Sequence, residues 1–309
     1  MSGTSIDAVL PLTLKDWQRA ELLFESLAHN FSDLGTVFIV CPDRQVEAIT
    51  QRARDLTLAL TLRVLPESTI VPEFALTPKL GGWYRQQLIK LSMFEHVDSE
   101  LYLTLDADII CSRTVNASDL SPNNLGPCFV IEQELRRHWY ERVERVLRVR
   151  APRRGILHNV TPAVLHCGAL LELKQVLNDK SARGEYSKGL RGLKQRWLAF
   201  KARNRQEFAS WRVYLAGATP WTEYALYYTF LEATGRFSKY HFYSAYSIYD
   251  IERSLWDAGD KGARLATWDP TAAFIGAGPP WFVVAQSNTG IDIDAVRQKI
   301  EPLLHAIKR

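Results

Sequence analysis

The chain has little sulfur. Its 309 residues include four cysteines, Cys41, Cys111, Cys128 and Cys167, and two methionines. No two cysteines stand in a CxxC spacing, which argues against a disulfide framework or a cysteine-based zinc site. The expectation is reduced, buried thiols in a cytoplasmic protein. A strong excess of one charge is also missing. Lys+Arg 38 against Asp+Glu 34 leaves a net charge of +4, too small to mark the whole chain as a nucleic-acid binder. No uninterrupted apolar run reaches the roughly 18 residues of a membrane-spanning helix. Met1 to Asp7 lacks the basic-then-apolar pattern of a secretion signal. What remains is ordinary globular composition, 47% hydrophobic and 23% charged, with a generous nine Trp and twelve Tyr. Most such aromatics serve packing.

The first third alternates between two hydrophobic periods. Ala8–Leu14 and TVFIVC at Thr36–Cys41 are short apolar runs of the kind found in buried parallel strands, and Leu60–Leu65 is a third. Between them, Asp16–Asn30 carries Trp17, Ala20, Leu23, Phe24 and Leu27 at helical spacing, with Asp16 available as an N-cap, and Val46–Leu56 also reads as a helix. A loop is expected over Pro66–Gly82, a helix over Trp83–His96 and a strand over Glu100–Leu105. Later, His158–Leu173 reads as apolar and strand-like, Thr222–Thr234 as a helix and Trp281–Gln286 as a strand. Alternating strands and helices with short links predict an α/β fold: a Rossmann-type, mostly parallel sheet flanked by helices, with helical inserts. No internal repeat or low-complexity linker divides the chain. The expectation is one elaborated domain over residues 1–309, in two halves, 1–115 and 116–309, with a basic helical insert at about 175–215.

The sharpest chemical signal is LYLTLDADII, residues 101–110. In extended chain, Asp106 and Asp108 project to one side and Ala107 to the other. Two carboxylates together after a buried strand are costly unless a cation joins them. A hard divalent ion, Mn²⁺ or Mg²⁺, prefers such oxygen ligands and shares its shell with substrate phosphates. The bland alternative is two acids ending a strand in water. A second alternative, the aspartyl nucleophile of a haloacid-dehalogenase-like phosphatase, fits poorly: a hundred residues precede the pair and Ile109–Ile110 follow it.

With GWYRQQLIKL (Gly82–Leu91), YLTLDADII, NVTPAVLH (Asn159–His166), TEYALYY (Thr222–Tyr228) and FVVAQS (Phe282–Ser287), the chain resembles the GT-A glycosyltransferases, metal-dependent enzymes that use nucleotide sugars and carry a DxD motif. The order and spacing span about the whole chain, and a bacterial family of uncharacterised proteins grouped with that fold is more similar still. The resemblance implies a nucleotide-sugar-binding half at 1–115, an acceptor-binding half at 116–309, and donor-binding roles for Pro11, Leu12, Thr13, Asp43, Trp83, Arg85, Gln87, Lys90, Asp106 and Ala107. Backbone groups of Leu12 or Thr13 would read the base, Asp43 the ribose, and the helix of Arg85, Gln87 and Lys90 the diphosphate. It implies a catalytic carboxylate at Glu223, opening a late helix: a general base in an inverting enzyme, or an acceptor-positioning group in a retaining one. Asp106 and Asp108 would hold the metal. His158, His166, Thr222, Glu223 and Tyr224 would line the acceptor site. Many relatives add a C-terminal His as third metal ligand. This chain departs from that, with Gln286 and Ser287 at the late strand's end and His241 the alternative. Each position also has a structural explanation, such as turn chemistry for Asp43 or helix capping for Glu223.

Two basic segments stand apart, Leu135–Arg154 and Lys188–Arg205. The second holds seven basic residues and no acid, interleaved with Leu190, Leu193, Trp197, Leu198 and Phe200. Such a stretch can lie on the inner face of an anionic membrane, bind an anionic glycan, or pack its apolar side on its own domain. The expected function is glycosyl transfer from a nucleotide sugar, UDP-type favoured over GDP-type, to a glycan or lipid-linked acceptor, as in surface polysaccharide synthesis, with nucleic acid not expected as a partner. The alternatives are a nucleotidyltransferase, disfavoured because PLTLKDW lacks the usual glycines, and a non-catalytic glycan- or nucleic-acid-binding module.

Overall fold

The computed structural model describes residues 5–132, 137–150, 156–158, 161–206, 208–256, 265–287 and 290–306. Its strands are β1 (Ile6–Pro11), β2 (Leu34–Cys41), β3 (Thr61–Pro66), β4 (Leu101–Thr104), β5 (Ile109–Cys111), β6 (Gly126–Cys128), β7 (Val130–Glu132), β8 (Ile156–His158), β9 (Ala163–His166), β10 (His241–Tyr243) and β11 (Phe282–Val284). The helices are α1 (Trp17–Asn30), α2 (Val46–Asp55), α3 (Glu67–Ile70), α4 (Gly82–Ser92), α5 (Ala117–Leu120), α6 (Arg137–Leu147), α7 (Cys167–Ala182), α8 (Gly189–Ala202), α9 (Ser210–Ala218), α10 (Glu223–Ala233), α11 (Phe237–Tyr240) and α12 (Ile293–Ala306).

The central sheet runs β3-β2-β1-β4-β9. β1 pairs in parallel with β2 and β4, and β2 with β3; β9 joins antiparallel at the edge. The fold is therefore α/β with a mostly parallel sheet, as the alternating periods predict. Strand side chains alternate between two cores. Ala8 and Leu10 of β1 join Val37, Ile39 and Cys41 of β2 and Leu103 of β4 against α1 on one face. Val9, Phe38, Val40 and Tyr102 join α4, α7, α9 and α10 on the other. Both faces are covered, which is why these strands read as continuous apolar runs rather than alternating ones. A third cluster packs α12 and Val283 of β11 around Ile110. Among the described residues no helix is long and apolar enough to cross a membrane.

Three local expectations are corrected. Pro66–Gly82 is not plain loop but contains α3 and a 3-10 turn at Pro72–Leu76. His158–Leu173 is not strand throughout: β9 ends at His166 and α7 begins at Cys167, because the His166 ring caps the helix through Gly168 N–H. Asp16 occupies the N-cap position of α1 but caps nothing with its side chain, which accepts from Thr13 Oγ1 instead.

Candidate functional site: an acidic turn at the switch of the sheet

In an open sheet, ligands bind beyond the carboxyl ends of the strands where the strand order reverses. Here the order reverses between β1 and β4, and the acidic pair leaves the sheet at that place. Leu105 still bonds its N–H to Val9 O. The chain then turns, with Ile109 N–H returning to Asp106 O, and enters β5. Asp106 and Asp108 thus lie in a tight turn, not in the extended chain that the alternation argument assumed. Their approach comes from the turn and from β11, which pairs with β5 and delivers Ser287. Ser287 N–H donates to Asp108 Oδ2 at 2.8 Å, and Ala285 N–H to Asp108 O at 2.9 Å.

Lys90 is the hub. It is 3% exposed, and its ammonium lies 2.8 Å from Asp106 Oδ1 and 3.6 Å from Glu223 Oε1. It also donates to Thr161 Oγ1 at 2.9 Å and lies over the Tyr224 ring. The Tyr224 hydroxyl bridges Thr161 Oγ1 and Thr104 Oγ1 at 2.9 and 2.8 Å. Helix α4 presents Lys90 inward and, one turn earlier, Gln87, whose amide donates to Trp83 O and accepts Glu223 N–H at 3.0 Å. Glu223, the first residue of α10, is set against Lys90 by that contact.

The charges are unbalanced. Burial opposes the Lys90 ammonium, but Asp106, Tyr224 and Glu223 outweigh it and hold its pKa above the usual value. Burial raises the Glu223 carboxyl despite the attraction of Lys90. Burial, then the charge of Asp106, raises Asp108, against the pull of its Ser287 hydrogen bonds. Burial pushes the Tyr224 phenol up to about 12. One ammonium therefore serves Asp106 and Glu223, and Asp108 adds a third carboxylate whose charge the neighbouring acid disfavours.

Other candidates fall into three groups. Pro11, Leu12, Thr13 and Asp43 lie at the same sheet edge, but Leu12 N–H is spent on Val40 O and Thr13 Oγ1 on Asp16. This leaves Leu12 no free N–H with which to read a base. Asp43 is exposed, its Oδ1 accepting from Ser68 N–H. Arg85 is committed to Glu67 and lies over the Phe74 ring, and Gln87 is a brace for Glu223; neither faces the acidic turn as a free donor. Trp83 is half-exposed beside Tyr84 and Trp139, and Ala107 is the middle of the turn.

His166 is not brought to the site. It pairs with Leu101 across β4–β9, five residues of chain and about 16 Å from Asp106 along the strand direction. Its ring caps α7 and packs against Tyr240. His241 is a buried core residue bonded to Tyr227 OH and Gly126 O. His158 ends β8, and its side chain, with Asn159 and Val160, lies outside the described residues. Thr222 precedes α10 without a side-chain capping bond. Gln286 N–H bonds Leu255 O. Sequence reasoning missed Thr104 and Thr161. The signal was there: a hydroxyl inside the apolar LYLTL run needs a buried partner.

Among the described residues no cluster of three His, Cys, Asp or Glu groups suited to a metal is present. Asp106 and Asp108 can still share a hard cation that completes its shell with substrate oxygens and water, the usual arrangement for Mg²⁺. The excess negative charge at the turn fits such an ion.

Fold and site together define an α/β protein with an acidic turn, braced by a buried lysine, at the switch point of a mostly parallel sheet. The chain belongs to a family of unknown function, DUF6492, whose model matches residues 3–308. No curated protein matches it. Among solved structures it is similar to mouse xyloside xylosyltransferase 1 in its apo form, with 12% identity and a TM-score of 0.42 over 93% of this chain and 99% of that one. It is also similar to the apo form of the glycosyltransferase GlyE of Streptococcus pneumoniae TIGR4, with 13% identity and a TM-score of 0.39 over 92% of this chain and 55% of that one. Likeness at this level carries no functional weight, which rests instead on the residues of the turn.

Proposed function

We propose that this protein is a metal-dependent glycosyltransferase, taking a nucleotide sugar, UDP-type favoured, and passing the sugar to a glycan or lipid-linked acceptor. The observation that carries the proposal is the excess of carboxylate at the switch point: Asp106 and Glu223 share the ammonium of Lys90, and Asp108 stands close enough to Asp106 for that charge to raise its pKa. Mn²⁺ or Mg²⁺ held by Asp106 and Asp108 would supply charge neutralisation for a departing nucleoside diphosphate. The chain's own residues do the rest. Lys90 fixes Asp106, and Ser287 fixes Asp108, so both carboxylates are oriented before substrate arrives. Glu223 is the group proposed to take the proton of the acceptor hydroxyl. Its raised pKa makes it a stronger base than a solvated carboxylate, and the Gln87 contact holds its backbone in place. Donor selection by Asp43 and Thr13, at the ends of β2 and β1, belongs to the same proposal.

The test is a thermal-shift screen of UDP, GDP and their sugars, each with Mn²⁺, Mg²⁺ or EDTA. A ligand bound only to the native state raises its apparent stability. The expected result is a nucleotide-dependent shift that needs metal and is lost in Asp106→Asn. An equal shift in the wild type and the variant would overturn the assignment of the acidic turn.

A further inference from the structure

Helix α8 presents its apolar stripe to solvent. Leu190, Leu193, Trp197 and Phe200 are 85%, 63%, 50% and 74% exposed. At helical spacing they fall within roughly a quarter of the helix circumference. The buried residues Gly192, Gln195 and Leu198 lie on the opposite side. That packed side is firmly seated. Gln195 donates to Tyr214 O and accepts Ser187 N–H, and a Cβ added at Gly217 of α9 would stand 2.8 Å from Gln195 Cα. The helix therefore docks through Gly192, Gln195 and Leu198 and turns Leu190, Leu193, Trp197 and Phe200 outward, so most of its large apolar side chains face solvent, the reverse of an ordinary surface helix. A contiguous exposed stripe of this kind marks an interaction surface, unlike apolar residues exposed singly.

Its surroundings select the partner. On the helix circumference the stripe is bordered by Arg196 on one side and by Lys194 and Lys201 on the other, and Lys188–Arg205 contains no acid. At the start of the helix, Lys188 and Arg191 share a cavity of about 430 Å³ with Arg142, Arg145 and Arg148 of the α6 region. Glu185 pairs with Arg148 at 3.7 Å; among the described residues no ion pair holds Arg142, Arg145, Lys188 or Arg191. Ala218 and Pro220, leading into α10 and Glu223, also line that cavity. An apolar stripe with a cationic border complements the acyl boundary and phosphate headgroups of an anionic bilayer. We propose that α8 seats this protein on an anionic phospholipid surface. This goes beyond the transfer reaction and does not depend on it.

The test is flotation of the full chain with vesicles of phosphatidylcholine alone or mixed with phosphatidylglycerol, at low and high salt. The expected result is binding to the mixed vesicles only, weakened by salt. Leu193→Glu with Phe200→Glu should weaken it at least about tenfold at an unchanged melting temperature. Arg196→Glu with Lys201→Glu should weaken it with the stripe intact. Asp106→Asn should float as the wild type does, which separates this proposal from that of the acidic turn. Absence of binding, equal binding by the stripe variant, or a dimer that the same substitutions dissociate would each overturn it.

Discussion

Arg212 and Lys90 are both buried cations, each placed between two carboxylates. Arg212 of α9 reaches Glu73 Oε2 at 2.9 Å and Glu95 Oε2 at 2.8 Å. Glu95 also accepts from Lys174 at 2.7 Å, so two cations meet two acids, and Glu73, 2% exposed, takes Ala209 N–H besides. Around Lys90 one cation meets two acids, Asp108 adds a third carboxylate beside Asp106, and Asp106 is 38% exposed. The first cluster is balanced, and its Arg212–Glu73 pair is sealed. The second is open and short of positive charge. A buried ion pair is thus no mark of a site in itself; a deficit of countercharge that opens onto solvent is.

That contrast can be broken by removing each cation. Arg212→Met should cause the largest effect, a destabilisation of about 3–5 kcal/mol, because it strands a sealed carboxylate. Urea melts would measure it, and nucleotide binding by the folded fraction should be unchanged. A loss well under 1 kcal/mol would show that the cluster is not a structural bolt.

Lys90→Met should cost less, since Asp106 can turn to water. Its cost should also depend on pH. Without the ammonium that Asp106 and Glu223 both face, the Glu223 carboxyl, already raised by burial, is raised further above its unfolded value, so the variant's native state binds more protons than its unfolded one. The relative stability of the variant then rises as pH falls through the carboxylate range and is lowest at neutral pH. Paired melts at pH 5 and pH 8 test this: a cost that is the same at both values would mean that Lys90 is not compensating these acids.

The same contrast explains what could be read without coordinates. β1, β2 and β4 were legible because strands covered on both faces are written as apolar runs, and the intervening helices as 3.6-residue stripes. Asp106 and Asp108 stood out because paired acids after an apolar strand are locally odd, whereas Glu223 came from the family resemblance, an acid that opens a helix being ordinary in itself. What was hidden is non-local. Lys90 meets Thr161 across 71 residues and Glu223 meets Gln87 across 136, and no periodicity encodes such pairings. The partners of Arg85 and Gln87 were hidden for that reason: a polar stripe on a helix does not say whether Glu67 and Glu223 already occupy it. His166 was misplaced because β9 runs against β4, which moves it to the far end of the sheet. The orientation of α8 was equally invisible, since a stripe in sequence points inward or outward only once its neighbours are known.

Asp108 gives the smallest and most discriminating effect. Burial and the charge of Asp106 raise its pKa, so its folded value exceeds its unfolded one. Such a group contributes most favourably below its unfolded pKa, and that contribution is lost as pH rises through the folded pKa. At neutral pH the ionised carboxylate is therefore a cost, which Asp108→Asn removes while its amide oxygen can still accept Ser287 N–H. The variant should melt slightly above the wild type near pH 7.5, with the gap closing as pH is lowered through the carboxylate range. Calorimetry across that range without metal checks it, and added Mn²⁺ should narrow the neutral-pH gap by stabilising only the wild type. A variant less stable than the wild type at neutral pH, with no metal added, would show that Asp108 is held by compensating charge, and that the two clusters do not differ in balance as argued.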